Sequence, residues 1–191
     1  MKKFRLMISA IGISALATAS APAAFLQFDL FGNAGAGLLP GNENHAIVGT
    51  PGTGGEVGAG ITYNDATLLL SINVVWGTAN GFTNLTGNAT AGHIHGPTAS
   101  GGAAAFTQNA GVIFGLDSGG GWNNNASSGG ITQTITLTGA QQADLYAGRY
   151  YVNVHTGANG GGEFRGNIVP EPASLALLSL GGLAMVRRRR T

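Results

Sequence analysis

Apolar residues recur at every second position through much of this chain, and short runs of Gly, Asn, Asp and Ser interrupt them. A period of two marks strands with one buried face. Residues 25–31 carry it (Phe-Leu-Gln-Phe-Asp-Leu-Phe), as do 56–63 and 67–76. Between the latter two, Asn64-Asp65-Ala66 tolerates tight-turn geometry and predicts a hairpin. Further strands are predicted at 91–95, 110–116, 131–137, 150–155 and 163–168. One short helix joins them: Thr138 followed three residues later by Gln141 has capping-box spacing, and Gly148 closes the segment. The connections 118–130 and 158–162, rich in Gly and Asn, are too polar for a core and are expected at the surface. The fold class this predicts is all-β, an antiparallel Greek-key-like β-sandwich of about seven or eight strands with one short helix.

The two ends break the pattern. Lys2, Lys3 and Arg5 precede an uncharged run over 6–19, and Ala21 and Ala23 offer the small residues a signal peptidase reads, so 1–23 is expected to be a signal peptide removed after Ala23. At the other end an uncharged stretch, 173–186, is followed by Arg187, Arg188, Arg189 and Arg190. As a helix it extends about 21 Å at roughly 1.5 Å per residue, against a hydrocarbon core of roughly 30 Å. It reads as a short, marginal membrane helix whose arginines stay on the cytoplasmic side. Val169-Pro170-Glu171-Pro172 stands immediately before it. Motif, span and arginines together resemble the PEP-CTERM sorting signal of Gram-negative bacteria, with a plain tail anchor as the alternative. The resemblance implies recognition by an exosortase, a membrane transpeptidase that detaches the protein from its tail. It also implies transient inner-membrane attachment, then release to the cell surface or extracellular space.

Removing the tails, 1–23 and 169–191, changes the charge. The remaining body, 24–168, carries two positives, Arg149 and Arg165, against seven acids, a net charge of −5. Without a single lysine it has no footprint for phosphate backbones, which excludes nucleic acid as a partner. There is no cysteine, so packing and hydrogen bonds must stabilise the exported body. Its length suits one domain. Thirty-one of the 34 glycines lie in the body, which argues against a helical bundle.

His93-Ile94-His95 places two imidazoles on one face of a strand, with Ile94 turned to the core. His155 shares a face with Tyr151 and Asn153, opposite Tyr150, Val152 and Val154. If these strands are neighbours, His93, His95 and His155 converge at metal-ligand spacing, with Glu163 or Asn153 nearby. The blocks Ala91-Gly92-His93-Ile94-His95-Gly96-Pro97, Tyr150 to Thr156 and Gly162-Glu163-Phe164-Arg165-Gly166-Asn167-Ile168, with Leu137 to Gly148 between them, resemble the CHRD domain over about 37–168. That resemblance implies an extracellular setting and supplies no reaction. Three readings stay open. The histidines and Glu163 are structural, with Arg165 paired to Glu163 or another acid, in a binding or structural module for extracellular polysaccharide or surface proteins. Alternatively the histidines hold copper or zinc, with redox activity as an extension. An acid/base hydrolase is the third, although no paired carboxylates or Gly-x-Ser-x-Gly appear, so no enzyme is expected. Trp76 reads as core and Trp122, in a polar loop, as the exposed aromatic.

Overall fold

The computed structural model describes residues 24–118, 121–123 and 127–171. The segments 1–23 and 172–191 lie outside the described residues, and with them Ala21, Ala23, Pro172, the apolar span and the arginine tail. No helix among the described residues is long and apolar enough to cross a membrane.

The described chain forms β1 (Phe25–Gly32), β2 (Gly35–Ala36), β3 (Gly54–Asn64), β4 (Leu69–Trp76), β5 (Ala89–His95), β6 (Val112–Gly115), β7 (Trp122–Asn123), β8 (Gly129–Thr136), α1 (Gly139–Tyr146), β9 (Tyr150–Thr156) and β10 (Phe164–Pro170). Every pairing is antiparallel, in the order β6-β5-β9-β10-β1-β3-β4-β8-β7, with β2 folded onto β1. The hairpin β3–β4 turns where Asn64 and Asp65 stand: the Asn64 Oδ1 accepts from the N–H groups of Ala66 and Thr67. The Thr138 hydroxyl accepts from the Gln141 N–H while the Gln141 side chain accepts from the Thr138 N–H, which satisfies two free donors at the start of α1.

The sheet curls because β1 divides its length between two partners. Residues Phe25 to Phe28 pair with β3, and Phe28 to Phe31 pair with β10. The two ends of the sheet are thereby brought face to face as a sandwich. Trp76 of β4 lies 6.2 Å from Phe164 of β10, ring to ring, and a Cβ on Gly92 of β5 would lie 2.7 Å from the Trp122 ring. The loop after β6 joins the two ends, since Leu116 donates to the Gly92 carbonyl and accepts from the Gln133 side chain. Between the layers pack Phe28, Leu30, Ile72, Trp76, Ile94, Val152, Val154, Phe164 and Ile168, all essentially inaccessible. Burial of this size is the main term favouring the fold.

Two expectations about exposure change. Trp122 is half-buried and its ring packs 5.7 Å from that of Trp76, because β7 folds it over the open end of the core. Within 158–162, Ala158, Gly160 and Gly161 are exposed as expected, but Asn159 and Gly162 are buried, because they fold back against β9. The outer face of β5, β9 and β10 is also covered: Tyr151, Asn153, Arg165 and Asn167 are 3% exposed or less. Leu39 pairs with Arg165, Ala105 accepts from the Arg165 guanidinium, and His45 lies against Gly162, so the β2–β3 and β5–β6 connections roof this face.

Candidate metal centre

The register assembles the histidines. β5 and β9 are neighbours, with His95 opposite Tyr151, His93 opposite Asn153 and Ala91 opposite His155. Period-two geometry puts all of these side chains on the roofed face, and His155 sits diagonally beside His93. One nitrogen from each of His93, His95 and His155 lies within 4.8 Å of the others, and all three residues are half-buried.

Two rings are oriented by their backbone surroundings. The Nδ1 of His95 is 3.0 Å from the Ala110 carbonyl, and the Nδ1 of His155 is 3.0 Å from the Gly160 carbonyl. A carbonyl only accepts, so each Nδ1 carries the proton and each Nε2 presents a lone pair. The His95 Nε2 is buried and has no hydrogen-bond partner. His155 Nε2 accepts from His93 Nδ1 at 3.0 Å. The other nitrogen of His93 lies 4.0 Å from the Asp117 carboxylate, which the loop after β6 supplies. His95 is stacked on Tyr151, centroids 4.9 Å apart and nearly parallel, and the Arg165 guanidinium lies 3.6 Å from the same ring. Burial, first of all, lowers the readiness of both His95 and His155 to take a proton, and the neighbouring imidazoles add to it, so both are neutral at neutral pH.

Glu163 is not brought to the histidines. Its carboxylate accepts from the N–H groups of Gly52 and Thr86, both at 2.8 Å, and from Thr86 Oγ1, Thr156 Oγ1 and Asn159 Nδ2. A carboxylate has about four lone-pair sites, so none is left for an ion. Burial pushes this carboxyl up, but the bonds from Thr86, Gly52 and Thr156 outweigh it and hold it below its ordinary value. Arg165 does not pair with Glu163 either: besides Tyr151, it donates to Asn167 and Ala105. Asn153 lies between His93 and Arg165 and leans on Gly162, where a Cβ would fall 2.1 Å from its carboxamide oxygen. Sequence reasoning missed Asp117 and His45. Asp117 lies 24 residues from His93 in sequence, and the pairing of His93 with Gly115, continued by the bond from Leu116 to the Gly92 carbonyl, brings it close.

Of the sorting residues, Val169 and Pro170 end β10 and Glu171 follows it. Comparison with protein families matches residues 169–190 to the PEP-CTERM protein-sorting motif. The protein is therefore exported and sorted, through membrane attachment, as an exosortase substrate. No curated protein and no solved structure matches the chain. Residues 36–168, well over half the sequence, match the CHRD domain, and the chain belongs to that family.

Proposed function

We propose that the folded body is a metal-binding module displayed outside the cell, which holds a divalent ion of the copper or zinc class on His93, His95 and His155. The observation that supports this is the pair of Nδ1–H groups committed to the Ala110 and Gly160 carbonyls, which leaves two unprotonated Nε2 atoms in the cluster, that of His155 3.0 Å from His93 and that of His95 buried without a partner. Metal-bound imidazoles are oriented in this way, the second nitrogen donating to a carbonyl or carboxylate. The 3.0 Å between His93 Nδ1 and His155 Nε2 is also the spacing of two nitrogens on one ion, since bonds of about 2.0–2.1 Å place them roughly 2.9–3.4 Å apart. To serve as a ligand through Nδ1, His93 would take the other neutral tautomer, its single proton moving from Nδ1 to Nε2, the nitrogen that faces Asp117. Three imidazoles leave a coordination position for an outside ligand. The role proposed is binding or structural, within extracellular polysaccharide or against surface proteins, and no reaction is assigned.

Elemental analysis of the purified mature protein after dialysis tests this. About one equivalent of ion is expected, with His95→Ala and His155→Ala each at background. Added ion should raise the unfolding midpoint of the ion-free protein, by about 2.7 kcal/mol of stability at a hundredfold excess over Kd. The competing structural reading is favoured by one contact, the hydrogen bond from His93 to His155. It predicts a midpoint indifferent to metal, and metal content unchanged in His95→Ala would decide for it.

A further inference from the structure

The described part of the sorting motif, residues 169–171, is built into the folded body. Val169 and Pro170 pair with Asp29 and Phe28 of β1, and the Glu171 N–H donates to the Gln27 carbonyl at 3.2 Å. The domain match ends at residue 168 and the motif match begins at 169, so no linker separates them. Pro170 has no N–H, and it occupies the register position between the bonded pairs formed by 171 with 27 and 169 with 29, where the ladder asks for no donor. A Pro-containing motif therefore completes the strand without a defect. Val169, Pro170 and Glu171 are all half-buried there.

An enzyme that cuts and transfers a peptide takes it as a separate extended segment, and chain cleavage acts on the locally opened state. On β10 the main-chain edge of the motif is already taken by β1. We propose that β1 and the sorting enzyme compete for the same strand, so that the motif is read only when residues 169–171 have detached from Gln27, Phe28 and Asp29. Strand ends open at small cost and Pro170 contributes no bond, so this detachment is a brief local opening rather than unfolding. The folded body thus sets how fast its own tail is removed.

Pulse–chase of the full-length precursor in cells that contain the sorting enzyme tests the proposal, with loss of the tail as the readout. Asp29→Cys combined with Val169→Cys joins two directly opposed residues in a chain that has no other cysteine, and leaves Pro-Glu-Pro intact. Oxidised, this clamp should slow tail loss at least tenfold relative to the same double variant in its reduced form, and reductant should restore the reduced rate. Conversely, four Gly/Ser residues inserted between Ile168 and Val169 should speed tail loss several-fold. An oxidised clamp processed as fast as its reduced form would show that the enzyme reads the motif in place, from the side that β9 leaves open, and would overturn the proposal. So would an insertion variant no faster than the parent.

Discussion

His95 and Glu163 were expected to share one ion, yet each has been claimed by different backbone. His95 loses one nitrogen to Ala110 and keeps the other free, whereas Glu163 receives donors from Gly52, Thr86, Thr156 and Asn159 on both oxygens. Glu163→Ala should therefore cost about 3–5 kcal/mol in urea unfolding, because it strands buried N–H groups. Glu163→Gln should cost less, since it keeps the shape and one acceptor. The sign of the pH effect follows from the carboxyl being held below its ordinary value. Its contribution is fully present above the unfolded-state value of roughly 4.3 and is lost as pH falls through the lower folded value. Acid unfolding of Glu163→Gln should lack that component. The shared face of His93 and His95 was legible, since a spacing of two on a strand fixes it. The separation of Glu163 from them was not, because Gly52 and Thr86 lie 111 and 77 residues away in sequence.

β1 shows what a strand does when it changes partner midway. Beyond Phe28 its pairing with β3 stops, and the Leu30 N–H donates to the Glu56 carboxylate at 3.1 Å instead of to a ladder carbonyl. Burial, then the nearby Asp29 carboxylate, pushes Glu56 up to about 7, against the opposing Leu30 bond, and Glu171 adds to the rise. A carboxyl raised in this way favours the folded state when protonated. Its contribution is complete below roughly pH 4.3 and is lost as pH rises through about 7. Glu56→Gln should flatten that fall in a series of thermal midpoints between pH 4.5 and 8. The strand itself was readable from the alternation in 25–31, as was α1 from its capping box. β2 and β7, two residues each, are too short to show any period. The continuation of β10 through Val169 and Pro170 was hidden because a motif with prolines at 170 and 172 reads as a boundary.

Closure of the sheet gives the molecule its core, and Gly92 is one point where its two ends approach closely. A Cβ there meets Trp122 at 2.7 Å and Ile131 at 3.1 Å, so Gly92→Val should destabilise by about 1–3 kcal/mol. Trp76→Ala, which empties the volume between Trp122 and Phe164, should cost about 3–5 kcal/mol by the same measurement. An all-β sandwich was legible in the strand spacing and glycine content, but strand order was not, since each pairing is decided by faces that meet only after the chain has turned several times. Trp122 shows the limit: its polar sequence neighbours suggested water, while the tertiary fold places it against Trp76. One further consequence follows from β1 beginning beside the end of β10, with Phe28 opposite Pro170. Both ends of the described chain leave from the same pole, so a tether at either one holds the molecule by the same base. The bend between β9 and β10, with Gly160 and the His155 it steadies, lies at the opposite end of β10.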